Sequence, residues 1–158
     1  MNIVYLALGS NVGERKANIN AAEILINNEI GLILHTSSMY ETDPQGFVSF
    51  NRFLNNVMCI KTFLSALEVL SKIEIIEKEI GRNTKSIDGG YHDRLIDIDI
   101  LYYNQEVILL DNLTIPHPQL HHRLFVLEPL TEIAPNFAHP IFRLTSQEML
   151  DKLLNVNE

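Results

Sequence analysis

The sequence predicts an α+β domain: an antiparallel sheet with helices packed on it, in the order β-α-β-β-α-β, followed by an irregular C-terminal extension. Short apolar and β-branched runs alternate with two stretches whose apolar residues recur at helical spacing. Both helical stretches end on a glycine, a residue that readily takes the left-handed turn which closes a helix. No repeat, linker or low-complexity stretch interrupts the pattern. The 158 residues suit one domain, taken as 1–158.

Ile3 to Leu8 is an apolar run ending at Gly9, which reads as a buried strand before the turn-rich Gly9-Ser10-Asn11-Val12-Gly13. From Arg15, residues Ile19, Ala22, Ile26 and Ile30 form one helical stripe, and Gly31 supplies the stop. Leu32 to Tyr40 and Phe53 to Thr62 read as strands, with a loop between them from Glu41 to Phe50. The second helix is marked by a capping box, Ser65 with Glu68, and by Leu64 and Val69 as its hydrophobic staple. Its stripe is Leu67, Leu70, Ile73, Ile76 and Ile80, and Gly81 ends it. After a polar, glycine-containing loop comes Leu95 to Tyr103, a strand by its β-branched and aromatic content. A last helix is expected from Thr145, with Glu148 as box partner. The β-α-β-β-α-β order is that of a ferredoxin-like fold, which hosts many unrelated activities.

Composition narrows the function classes. Hydrophobic residues are 46% and charged residues 20% of the chain, as in ordinary globular proteins. No apolar run reaches the roughly 20 residues that cross a bilayer, and the N-terminal residues lack a basic start and a cleavage site. With one cysteine, Cys59, no disulfide can form within the chain, so the cytoplasm is the expected compartment. Twelve Lys+Arg against twenty Asp+Glu give a formal charge of −8. That opposes binding along a nucleic-acid backbone but leaves room for a small anion held by a local cluster of cations.

Asp97 and Asp99 are the sharpest chemical feature. Two residues apart on a strand, they project from one face about 6.7 Å apart, while Ile96, Ile98 and Ile100 take the other. Like charges side by side repel unless a cation neutralises them. Hard paired oxygens suit Mg²⁺, which typically takes one or two carboxylates plus phosphate oxygens and water. A solvated polar face is the plain alternative for an isolated Asp-x-Asp. Arg82, Lys85 and Arg94 flank a loop of the length of a lid, and Arg presents a planar fork of donors to phosphate oxygens. Solubilising loop charges would look the same. His117, held between Pro116 and Pro118, sits on a stiff segment ahead of Arg123 and Phe125. Phe53 and Asn55 share a strand face, where an aromatic plate beside an amide could stack on a flat heterocycle and pair with its edge. His121 and His122 have no Cys or carboxylate at zinc-ligand spacing, so zinc is excluded.

Together these segments resemble the 6-hydroxymethyl-7,8-dihydropterin pyrophosphokinase family. Leu8-Gly9-Ser10-Asn11-Val12-Gly13 matches its first-strand loop, and Phe53-Leu54-Asn55 its pterin strand. Arg94-Leu95-Ile96-Asp97-Ile98-Asp99-Ile100-Leu101 matches its signature stretch, and Leu113-Thr114-Ile115-Pro116-His117-Pro118 a later motif. The resemblance implies transfer of pyrophosphate from ATP to the hydroxymethyl group of a dihydropterin, with release of AMP. It implies two Mg²⁺ ions on Asp97 and Asp99, and a pterin between Phe53 and Phe125 read by Asn55 and the Thr42 backbone. It also places Arg82, Arg94, His117 and Arg123 on the triphosphate, and Glu74, Glu77, Ile100 and Thr114 around the adenosine. Arg82 and Arg94 join the two aspartates as the residues expected to act in catalysis. Partners are then small molecules, and a monomer is expected. Departures from the family pattern are His92-Asp93 in place of Gly-Pro, Tyr91 for the preceding Trp, Thr84 for a second loop Arg, and Asp43 for Pro. Two rivals remain: a ligand-binding module on the same fold without turnover, and a palm-type nucleotidyl transferase, which also uses paired strand aspartates.

Overall fold

The computed structural model describes residues 1–43, 52–81 and 95–156. In chain order it contains β1 (Asn2–Ser10), α1 (Arg15–Glu29), β2 (Leu32–Thr36), β3 (Tyr40–Thr42), β4 (Phe53–Thr62) and α2 (Ala66–Gly81). β5 (Asp97–Tyr103), β6 (Ile108–Leu110) and β7 (Leu113–Ile115) follow, then a 3-10 turn (Leu120–His122), α3 (Leu124–Ile133) and α4 (Ser146–Val156). The molecule is α+β, with an antiparallel sheet covered by helices, as the pattern predicts.

β1 lies at the centre of the main sheet, antiparallel to β4 on one side and to β5 on the other. β2 and β3 share the outer edge of β4, β2 along Met58–Lys61 and β3 along Phe53–Asn55. The sequence reads Leu32 to Tyr40 as one strand, but the structure divides it. The cause is Ser37: its hydroxyl accepts the Val57 N–H at 2.9 Å while its own N–H donates to the Val57 carbonyl at 2.8 Å. A side chain thus takes a place in the ladder, and the backbone is free to kink between the two short strands.

The alternation of side chains divides the core into two. Val4, Leu6 and Leu8 of β1 and Ile96, Ile98 and Ile100 pack against Ile19, Ala22 and Ile26 of α1 and Val69, Ile73 and Ile76 of α2. Val57, Leu101 and Tyr102 face the other way, against Val126, Leu127 and Leu130 of α3 and Met149 of α4. A register shift in the β1–β5 pairing, between Tyr5 and Leu6, puts the adjacent residues Leu101 and Tyr102 on the same side and returns Tyr103 to the α1–α2 side.

Both capping boxes form. Ser65 and Glu68 exchange bonds of 2.9 and 3.2 Å, and Thr145 and Glu148 bonds of 3.0 and 3.1 Å. The C-terminal part is more regular than the irregular extension expected from sequence. It holds the β6–β7 hairpin and α3, a helix whose start has no side-chain cap and whose middle carries Pro129. Among the described residues, no helix is long and apolar enough to cross a membrane.

Candidate active site

The site grows from one row of residues across three strands. Gly9 of β1 pairs with Asn55 of β4 on one side and with Asp97 of β5 on the other; the next step along the face pairs Ala7 with Asp99. Strand alternation therefore puts an amide and two carboxylates on the face opposite the α1–α2 core. A Cβ at Gly9 would meet Asn55 Oδ1 at 2.9 Å and Phe53 Cδ1 at 3.5 Å. The missing side chain is what lets Asn55 and Phe53 lie over the middle strand. An isolated glycine in a strand is the sequence signal for such a close approach. Asn55 is buried, 5% exposed, and its Nδ2 donates to Thr42 Oγ1 at 2.8 Å. One donor is thereby committed, and the outer end of the carboxamide is aimed by β3.

The loop after β1 is also fixed. Ser10 and Asn11 are buried, and Asn18 of α1 donates from Nδ2 to Ser10 Oγ at 3.2 Å and to the Val12 carbonyl at 2.9 Å. On the other flank, β5 is held from behind: Glu77 of α2 accepts the Ile98 N–H at 2.9 Å. That N–H lies between the two aspartates, so α2 pins the backbone that carries them. Neither Thr42 Oγ1 nor this bond from Glu77 was legible in the sequence, because each partner is far away along the chain.

His117 follows β7 and is tied to β5, its N–H donating to the Leu101 carbonyl at 3.0 Å. Its ring reaches Asp99, with Nε2 at 3.9 Å from Oδ2. Nδ1 accepts the Gln119 N–H at 3.1 Å, which assigns the proton of the neutral ring to Nε2, the atom nearer the carboxylate. Burial first, then the Arg123 charge, push the imidazole pKa down to about 4 against the opposing pull of Asp97. His117 is accordingly a neutral donor at pH 7. Arg123 stands just before the first turn of α3, and its guanidinium lies 5.5 Å from the centroid of the Phe125 ring, a cation–π distance.

The structure thus brings Thr42, Phe53, Asn55, Asp97, Asp99, His117, Arg123 and Phe125 together from β3, β4, β5, the segment after β7 and the start of α3, on one side of the sheet. Ile100 points the other way into the α1–α2 core, 5% exposed; Glu74 and Glu77 lie on α2 and Thr114 on β7, and both elements abut β5. Arg82 and Arg94 lie outside the described residues, as do Thr84, Lys85, Tyr91, His92 and Asp93. Asp43 is described, and its Oδ1 lies 3.3 Å from Arg52 Nε. The described residues hold no cluster of three His, Cys, Asp or Glu. Two carboxylates fit a hard divalent cation that shares its shell with a ligand's phosphates and water, and do not fit an all-protein cage.

Residues 5–135 match the family model of 7,8-dihydro-6-hydroxymethylpterin-pyrophosphokinase (HPPK). The chain belongs to the HPPK family. The match spans every site residue named above. An HPPK relative from Porphyromonas gingivalis, a 2-amino-4-hydroxy-6-hydroxymethyldihydropteridine pyrophosphokinase, is 43% identical over 141 residues, 89% of this chain and 95% of that protein. The Aquifex aeolicus protein of the same name is 46% identical over 149 residues, 94% of this chain and 90% of its own. Among solved structures, Plasmodium falciparum HPPK-DHPS with SDX-DHP matches with a TM-score of 0.78 at 20% identity. That likeness covers 98% of this chain but only 44% of the larger one. It supports the fold.

Proposed function

We infer that this HPPK-family chain transfers the pyrophosphoryl group of ATP to the hydroxymethyl group of 6-hydroxymethyl-7,8-dihydropterin, releasing AMP, as a step of folate synthesis. The observation that carries the reading is the row Asn55–Gly9–Asp97. A flat bicycle paired with Asn55 and stacked on Phe53, both of which lie over Gly9, directs its far end toward the carboxylates of β5.

In this mechanism Asn55 and the Thr42 backbone read the amino-pyrimidinone edge, and Phe53 and Phe125 stack on the two faces of the ring. Asp97 and Asp99 would hold two Mg²⁺ ions, which would supply neutralisation of phosphate charge. His117 donates from Nε2 to a phosphate oxygen, because Nδ1 is occupied by the Gln119 N–H. Arg123 faces the triphosphate, and Arg82 and Arg94 complete its cationic surround. Glu74, Glu77, Ile100 and Thr114 border the adenosine, beside the outer edge of β5. The hydroxymethyl oxygen attacks the β-phosphorus, and the bond to AMP breaks. Positioning and charge neutralisation supply most of the acceleration, as in other phosphoryl transfers.

The same reading makes residues 1–158 one ferredoxin-like catalytic domain, with β3 and the C-terminal hairpin and helices added to its core. It works as a cytoplasmic monomer. The deciding experiment incubates the protein with ATP, Mg²⁺ and the dihydropterin and separates the nucleotides. AMP formed only when the pterin is present is the expected result, and chelation by EDTA should stop it. ADP as the main product would overturn the reading, pyrophosphate release would favour a nucleotidyl transferase, and binding without turnover would leave a ligand-binding module.

A further inference from the structure

We propose that Glu132, at the last turn of α3, is a positioning residue for the pterin half of the site; this rests on the activity inferred above. Its carboxylate accepts three groups from the segment that leads into β3. The Ser38 N–H donates at 2.9 Å, the Ser38 hydroxyl at 2.9 and 3.1 Å to the two oxygens, and the Tyr40 hydroxyl at 2.6 Å. Donor and acceptor are more than 90 residues apart in the chain, so nothing local requires the cluster.

What it joins gives it a role. β3 is three residues long and pairs only through Tyr40 with Asn55, Glu41 with Leu54 and Thr42 with Phe53. So short a strand is weakly held by its own ladder, yet it carries the hydroxyl that orients Asn55. α3 carries Phe125 in its first turn and Glu132 in its last. Glu132 therefore ties the wall bearing Thr42 to the helix bearing Phe125, the two sides between which the ring would sit. The bonds are charge-assisted, and both partners register them: the Tyr40 hydroxyl holds the Glu132 carboxyl below its ordinary range, and the tyrosine is itself pushed up to about 12. Asp97, Asp99 and the phosphate-facing His117 lie on other elements and make no bond in this cluster.

The test is steady-state kinetics with direct pterin binding and thermal melting on Glu132→Ala, Glu132→Gln, Tyr40→Phe and the Glu132→Ala/Tyr40→Phe double variant. Glu132→Ala should raise the pterin KM and Kd about three- to tenfold, the scale of losing one or two solvent-screened hydrogen bonds. The kcat and the KM for ATP should stay within twofold. Glu132→Gln keeps a carbonyl acceptor and should recover part of the loss. Adding Tyr40→Phe to Glu132→Ala should cost little more, because both remove the same bond. A lower melting temperature with unchanged pterin KM would make the cluster merely structural and overturn the proposal. Equal increases in the KM of pterin and ATP would overturn it as well. A wild-type chain that releases no AMP refutes the activity itself, and the positioning role falls with it.

Discussion

Gly9→Ala isolates the pterin half of the site with one methyl group. That methyl would stand 2.9 Å from Asn55 Oδ1, against 3.4–4 Å for an ordinary contact, so the amide must retreat by about half an ångström or more. It has little room to do so. Asn55 is 5% exposed, and its Nδ2 is already bound to Thr42 Oγ1 at 2.8 Å. Retreat breaks that bond or misaligns the carboxamide, and a buried ligand edge that loses its partner costs about 1–3 kcal/mol, a weakening of roughly 5- to 150-fold. The fold should survive. Gly9 does not have a left-handed φ, so the backbone accepts alanine, and the less flexible unfolded chain offsets part of the clash. Calorimetric titration with the dihydropterin, beside titration with a non-hydrolysable ATP analogue and Mg²⁺, reads the two halves separately. The expected result is pterin binding weakened within that range, ATP-analogue binding within threefold of wild type, and a melting temperature changed by only a few degrees. Pterin affinity within twofold of wild type would refute the reasoning, for it would mean that Asn55 can yield without consequence.

Asp97→Ala and Asp99→Ala should each abolish AMP release in a product assay while melting no lower than wild type in metal-free buffer, since each relieves like-charge repulsion. Arg82→Ala and Arg94→Ala should each lower kcat about 10²-fold or more in single-turnover measurements with pterin affinity unchanged, as when one preorganised donor is lost; a normal chemical step would make them solvated loop charges. His139 is 2% exposed, accepts the Ile141 and Phe142 N–H groups at 3.1 Å on Nδ1, and faces His121, Tyr102 and the stacked Phe142 ring. Burial first, then His121, depress its pKa from 6.5 to about 4, so the unfolded chain takes up the proton first as pH falls. Its contribution is complete above pH 6.5 and is lost towards pH 4; His139→Gln should flatten the decline in melting temperature between pH 7 and 5 by the equivalent of about 1–2 kcal/mol, and parallel declines would remove His139 as the cause.

The parts of the fold that were legible in the sequence are those specified locally. The apolar stripe of α1 and the two capping boxes involve residues three or four apart, so short-range pattern suffices; in α2 the expected stripe holds at Ile73 and Ile76 but not at Leu67, which is 45% exposed while Val69 is buried. The aspartate pair was legible for the same reason, since strand alternation alone puts Asp97 and Asp99 on one face. What escaped was decided by distant partners. The break between β2 and β3 depends on Ser37 meeting Val57, and the aim of Asn55 on Thr42 across a sheet edge. α3 escaped because its signals are inverted: no side-chain cap opens it, a proline lies inside it, and its apolar residues nearly encircle it. Ile100 shows the limit of face arguments at a sheet edge. It is core by alternation, yet it borders the outer edge of β5, where α2 and β7 meet the strand.

The register shift at Leu101 has a consequence for how this chain can drift. Before it, odd-numbered residues of β5 face the ligand side; after it, the parity is reversed, and Tyr102 rather than Tyr103 fills the C-terminal layer. The Leu101 carbonyl at the shift is also the acceptor that holds the His117 backbone. Leu101 is the extra residue at the shift: without it Ile100 and Tyr102 would still pair with Leu6 and Tyr5, each on its present side, whereas deleting Ile98 would put Asp97 and Asp99 on opposite faces. A change of length is therefore open at the shift and closed in the stretch that carries the aspartates. Insertions and deletions should concentrate at the shift and in the segments between elements, while Asp97 to Ile100 are inherited as a block of fixed length.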